Sequence, residues 1–499
     1  MLNKTAIIKK IKLTSHAWFL FFLLLSLFPF WVALNTPALT LSDDSLITLT
    51  FAKNIALGRG FVYNHPPSVL GTTTPLFAVL LGVFGAVSGW HDFPRMAVLF
   101  SALCWAGLVW LFYIFRSQLS LEKWQAAVVA LLISCAGWVD FMGMEAYLFS
   151  FLLLLSVGLF LKKRFVWSGF CIGLLFLTRG EGIILFFVLA AIGIWHSFRA
   201  SDRRDWERFL KQLCFGFSLP FLGWSIYAWH TFGNIFPNTL SAKIAQGESG
   251  IWKRFSERLV SEWIPEWNWR FGLTAHPVFS VFPIMIIAGF VAGFQKMRMW
   301  LIFPAWILFY ALGYSFLGVA GYYWYSLPIR FVLVLLAALG IIYCGERFMG
   351  YFKRSNPSIA VFVLLLCFIV IVWGYPLIRT VLNHVPDAKS SQYHEIALWL
   401  SKNTKPEDSV AHFEIGYLGY FSSNRIIDLA GLIDKEIPQH IAGIDFQWGF
   451  WRAAPQYLVY YQYSLFQKKI IADPRFSQRY HEIKRFYWQD GAFILYKKI

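Results

Sequence analysis

The chain has 499 residues, of which 58% are hydrophobic, 19% aromatic and only 14% charged. Soluble domains carry about 25% charged residues, so this composition excludes a water-soluble protein and points to a polytopic membrane protein. The net charge of +17 sits in short clusters between apolar segments, the pattern of positive-inside membrane loops, and excludes a nucleic-acid partner.

Lys4, Lys9, Lys10 and Lys12 precede the apolar run Ala17–Leu34. About 18 apolar residues can span a bilayer, and no small-x-small cleavage site follows. The run is therefore read as an uncleaved anchor with a cytoplasmic N-terminus. Further apolar segments lie near 75–89, 95–115, 125–139, 146–161, 165–178, 182–198, 212–230, 276–294, 299–318, 328–344 and 357–376. The basic clusters at 162–164, 199–211, 296–298 and 347–354 all fall inside if one early crossing is removed. Segment 75–89 begins at Pro75, contains Gly82, Gly85 and Gly89, and reads as an interfacial or re-entrant helix. About eleven spans remain, with the C-terminus outside.

Segment 165–198 is interrupted by Thr178-Arg-Gly-Glu-Gly182 and reads as two short helices turning near the outer face. A helix of that length covers only ~21 Å, so Arg179 and Glu181 lie below the surface and must face a cavity. Cys104, Cys135, Cys171, Cys214, Cys344 and Cys367 all sit in apolar segments. They read as packing residues, without disulfide or zinc spacing.

The expected architecture is a mainly α transmembrane domain over 1–379, with a first external loop at 35–94, and an external α/β domain over 380–499. In the latter, Ser390–Ser401 reads as an amphipathic helix. Ser409–Glu414, Arg425–Leu429 and Gln456–Tyr461 read as strands, and His481–Trp488 with Ala492–Lys497 as a hairpin turning at Gln-Asp-Gly. Roughly 120 residues suffice for such a domain.

The first loop carries the most informative residues. Ser42 is a good N-cap, Asp43 and Asp44 occupy a first turn, and Ile47, Phe51 and Ile55 share one face, so 43–57 is predicted to be a helix along the outer interface. The two acids have two readings. They complement the helix dipole, a contribution of about 0.3–1 kcal/mol, or one of them removes a proton from an acceptor hydroxyl.

Asp43-Asp44, Ala52-Lys-Asn54, Gly58-Arg-Gly-Phe-Val-Tyr-Asn64 and Gly71-Thr-Thr-Thr-Pro-Leu76 together resemble the first external loop of GT-C glycosyltransferases. More narrowly, they resemble the bacterial branch that includes the mycobacterial terminal arabinofuranosyltransferases. Gly143-Met-Glu145, Thr178-Arg-Gly-Glu-Gly182, Gly233-Asn-Ile-Phe-Pro-Asn-Thr-Leu-Ser-Ala-Lys243, Ile415-Gly-Tyr-Leu-Gly-Tyr420 and Ile427-Asp-Leu-Ala-Gly-Leu432 match that branch's later landmarks in order. His65-Pro66-Pro67 departs from its Asn-Pro-Gly turn, Thr72 from an aromatic and Gly180 from a proline, which touches substrate identity.

The resemblance implies a sugar donor on a polyprenyl phosphate in a bacterial plasma membrane. The acceptor is a hydroxyl of a cell-envelope glycan, glycolipid or protein, and transfer on the external face inverts the anomeric carbon. Asp43 then matches the general base, while Asp44 positions the acceptor or a divalent cation. A leaving phosphate needs positive charge, for which Arg59, Arg179, Lys243 and Arg330 are candidates. Asn64, Glu145, Glu181 and Asn238 complete the expected substrate-binding set.

Bland readings stand beside these roles. Arg59 is equally a solvated loop charge, Arg179 an ion-pair partner of Glu181, and Arg330 a snorkelling side chain. His412, Glu414 and Asp428 read as solvated strand residues rather than an acceptor subsite. Trp263, Trp267, Trp269 and the Tyr322–Tyr325 run read as interfacial anchors rather than sugar-stacking rings. No phosphate-cradling P-loop, HExxH or serine elbow is present, which disfavours a soluble nucleotide-sugar donor. A transporter or flippase of lipid-linked sugars is the rival class, though no internal repeat supports it. An inactive protein that keeps the fold is a third reading.

Overall fold

In the computed structural model, residues 15–499 are described, apart from 65–67, 137–138, 200–202, 265–280, 352–368, 371–373, 384 and 489–490. Most of the expected segment 357–376, Trp267, Trp269, His65-Pro66-Pro67 and most of the hairpin turn therefore lie outside the described residues.

Helix α1 (Ser15–Asn35) has 21 residues, about 31 Å of length, which matches a bilayer core. The first loop then forms α2 (Asp43–Ala56), where Ser42 Oγ accepts from Ser45 N at 3.2 Å. Helix α3 (Pro75–Ser88) has 14 residues, too few to span. It lies on α2 where Gly82 meets Ile55 so closely that a Cβ would collide.

Helix α4 (Phe93–Ile114) packs on α1, with Phe22 against Trp110 and Tyr113. Helices α5 (Lys123–Cys135), α6 (Ala146–Leu161), α7 (Phe165–Thr178), α8 (Gly182–Arg199) and α9 (Arg203–Phe232) follow. Two short helices, α7 and α8, do meet at 179–181. Backbones touch where α7 crosses α9: a Cβ on Gly169 would strike Leu213 O, and one on Gly216 would strike Val166 O. Such small-residue seams replace the hydrophobic effect in lipid. After α10 (Asn238–Glu248), helices α11 (Val281–Gln295), α12 (Ile302–Leu317) and α13 (Leu327–Tyr351) complete the helical part. Gly289 and Gly340 form a second seam between α11 and α13.

Among the described residues four helices are long and apolar enough to cross a membrane: Ser15–Asn35, Phe93–Ile114, Arg298–Leu317 and Tyr323–Arg347; six shorter apolar helices accompany them. Phe316 is 92% exposed and Val87 84%, surfaces that only hydrocarbon solvates without cost. The protein is an integral membrane protein.

After α14 (Tyr375–Leu382) and α15 (Ala388–Asn403), five strands form one sheet in the order β2-β1-β3-β5-β4. They are β1 (Ser409–His412), β2 (Arg425–Asp428), β3 (Tyr457–Tyr461), β4 (Tyr480–Trp488) and β5 (Gly491–Lys498). β1 runs parallel to β2 and β3, while β3, β5 and β4 are antiparallel. Each strand lies within two residues of its sequence expectation. One apolar cluster runs from the membrane helices through Leu46 and Phe51 of α2 into Ile415 and Tyr417, so the sheet domain is seated on the first loop. Cys104, Cys135, Cys171, Cys214 and Cys344 are free thiols, as expected; Cys367 lies outside the described residues.

Candidate active site

The first turn of α2 points its two acids to different places. Asp43 Oδ2 accepts from Gly416 N and its Oδ1 from Tyr417 N, both at 2.9 Å. These amides open the short helix α16 (Gly416–Phe421). A Cβ at 416 would collide with Asp43 O, so the close approach requires glycine. Around this contact Tyr417 Oη lies 2.8 Å from Leu39 O and 2.9 Å from Leu41 O, and Tyr63 Oη donates to Ile415 O at 2.7 Å.

Two other expected substrate ligands serve the same junction. Asn64 Nδ2 donates to Ile426 O at 2.7 Å and its Oδ1 accepts from Ile426 N at 3.1 Å. The amide thus satisfies the edge of β2 as a neighbouring strand would. Asn238 Nδ2 faces the carbonyls of Gly431, Leu432 and Asp434 at 2.7, 3.3 and 2.9 Å. Asp428 shapes that loop from beneath by accepting from the amides of Ala430, Leu432 and Ile433.

Asp44 instead lines a cavity of about 360 Å³ that also collects Glu145, Arg179, Glu181 and Lys243. Arg179, 5% exposed, is clamped: Nε donates to Glu181 Oε1 at 2.5 Å and a terminal nitrogen to Glu145 Oε1 at 3.0 Å. Tyr314 Oη donates to the other Glu181 oxygen at 2.9 Å. The expected Arg179–Glu181 pair is therefore present, and Glu145 makes it a triad whose single cation is over-compensated. Lys243, 8% exposed, has no carboxylate within 4 Å among the described residues. Its ammonium sits 3.5 Å from the centre of the Tyr322 ring, which stacks on Trp324. Thr48, Thr72 and Thr74, hydrogen-bonded to one another, line the same cavity. Ile47, Ile184, Phe236 and Leu317 make the remaining lining apolar.

Neither Arg59 nor Arg330 reaches this cavity. Arg59 is exposed and donates to Asn54 Oδ1 at 3.3 Å, while Arg330 is buried over the Phe141 ring. The aromatic residues correct the anchor reading: Trp324 and Tyr325 line the cavity, and Trp263 is buried against Phe255. The reading of His412 and Asp428 as solvated is also corrected, since each is 2% exposed. Strand-end polarity misled there, because both side chains find partners inside.

Glu414 is nearly half exposed and paired to Lys389 at 2.7 Å. It also accepts from Tyr393 Oη, whose oxygen lies 3.0 Å from His412 Nε2. Burial pushes His412 down to about 4, so its ring is neutral. Burial raises Asp43 to about 7, helped by the charges of Glu414 and Asp44 and opposed by the two amides it accepts from. Burial likewise raises Asp44; Lys243 pulls it back down and Glu414 pushes it up. Among the described residues no group of three or more His, Cys, Asp or Glu side chains is placed to hold a metal ion. With Asp43 committed to backbone amides, the acid pair does not present two carboxylates to one cation.

The overall fold is similar to that of ArnT from Cupriavidus metallidurans, solved bound to undecaprenyl phosphate. The TM-score is 0.62 over 97% of this chain and 98% of that one, at 13% sequence identity. The fold is of the GT-C type. A family model described as Domain of unknown function (DUF8728) matches residues 382–496, the sheet domain. No curated protein matches the chain by sequence.

Proposed function

We propose that the protein is a GT-C membrane glycosyltransferase that moves a sugar from a polyprenyl-phosphate carrier to a hydroxyl of a cell-envelope glycan, glycolipid or protein. One observation carries this reading: a half-buried carboxylate, Asp44, and a buried ammonium without an acidic partner, Lys243, face one cavity whose remaining lining is largely apolar. Asp44, rather than Asp43, takes the proton of the acceptor hydroxyl. The acceptor oxygen bonds to the anomeric carbon from the face opposite the carrier, and the carbon–oxygen bond to phosphate breaks with inversion. Its electron pair stays on the lipid phosphate, whose charge Lys243 meets. Asp43 fixes the first turn of α2 against the sheet domain and so aims its neighbour.

The fold shared with ArnT supports the carrier class, and the ordered motifs support the narrower likeness to the arabinofuranosyltransferase branch. The basic clusters support a cytoplasmic N-terminus and an external sheet domain. The test is reconstitution in vesicles with a panel of polyprenyl-phosphate sugars, comparing wild type, Asp43→Asn and Asp44→Asn with and without chelator. Glycosidic product in wild type and a loss of about 10²–10⁴-fold in Asp44→Asn are expected. Activity should survive the chelator, because Asp44 alone of the pair is free to bind a cation. Full activity in Asp44→Asn would remove the base assignment. Label crossing the vesicle without product would favour the transporter.

A further inference from the structure

Helix α10 begins at the cavity without a side-chain cap, because its N-cap residue is Pro237. A helix start carries partial positive charge and favours an anion. Two residues in, Thr239 is 7% exposed and lines the cavity, and its Oγ1 is buried with no hydrogen-bond partner among the described residues. An orphaned buried hydroxyl is costly, which implies a partner that arrives with the ligand. One turn on, Lys243 shares that helix face at i+4 spacing and lines the same cavity.

We propose that Thr239 is a further substrate-positioning residue: its hydroxyl donates to the carrier phosphate that Lys243 neutralises. The proposal rests on the glycosyltransferase reading above. Arg179 is already claimed by Glu145 and Glu181, so Lys243 is the cavity's one cation without an acidic partner among the described residues, and it shares its helix with Thr239.

Binding of undecaprenyl phosphate and undecaprenol to the detergent-purified full chain tests this. Thr239→Val should weaken undecaprenyl phosphate about tenfold, the scale of one hydrogen bond to a charged group. Thr239→Ser should restore it, and undecaprenol should bind all three proteins alike. Equal binding of undecaprenyl phosphate by Thr239→Val and wild type would overturn the role of Thr239. So would an equal loss for undecaprenol, which would show a packing effect. If wild type does not prefer undecaprenyl phosphate to undecaprenol, the carrier reading itself fails.

Discussion

At the scale of single residues, the acid pair divides its labour by direction. Neighbouring positions in the first turn of a helix are about 100° apart, so Asp43 turns to the sheet domain and Asp44 to the cavity. Their consequences differ accordingly. Asp43→Ala leaves the amides of Gly416 and Tyr417 without an acceptor, at about 1–3 kcal/mol each; proteolysis of the sheet domain should accelerate. Asp44→Asn should leave proteolysis unchanged and lower transfer about 10²–10⁴-fold. If Asp44 is the base proposed above it works only when ionised, so the rate should rise with pH through its titration, and burial raises that limb above the usual carboxylate range. Glu414→Gln removes a charge that raises Asp44 and should move the limb to lower pH. Lys243→Met removes the charge that lowers it and should move the limb upward. Rate profiles of the two variants check both signs.

At the scale of elements, the helix seams and the α7–α8 turn hold the cavity in shape. Gly216 lets α9 touch the carbonyl of Val166 on α7. Gly216→Leu should force the pair apart and lower the melting temperature of the purified protein more than Gly223→Leu on the same helix, where nothing lies within 4 Å of an added Cβ. In the turn itself, Arg179→Met strands two buried carboxylates, a change of about 3–5 kcal/mol. The loss should be largely recovered when Glu145 and Glu181 are changed to Gln as well. Stability measured by thermal unfolding separates these outcomes.

At the scale of the whole molecule, the two parts of the fold are joined: the sheet domain holds the loop that carries Asp43 and Asp44. Asn64 and Asn238 hold it at two further points, on the edge of β2 and on the 431–434 loop. Asn64→Ala combined with Asn238→Ala should raise amide hydrogen exchange in 415–434 without altering exchange in α4 or α6. An unchanged exchange pattern would show that apolar packing alone seats the domain. Transfer activity should fall with loosening, since Asp44 is aimed only while α2 is held.

Much of this was legible in the chain because it depends on local pattern. Apolar run lengths, the Ser42 cap, the Arg-Gly-Glu interruption and period-two strands mark their elements through neighbouring residues alone, and burial cost alone sends Arg179 and Glu181 to a cavity. The roles of Asn64 and Asn238 were not legible. An amide that binds a sugar and one that binds a distant carbonyl read the same in sequence, and their partners lie 362 and 193 residues away. For the same reason sequence marked Asp43-Asp44 as the functional pair, while only the packed sheet domain decided which acid is left free. Thr239 stood unnoticed inside a motif, because an unsatisfied hydroxyl exists only once the surrounding fold has excluded its partners.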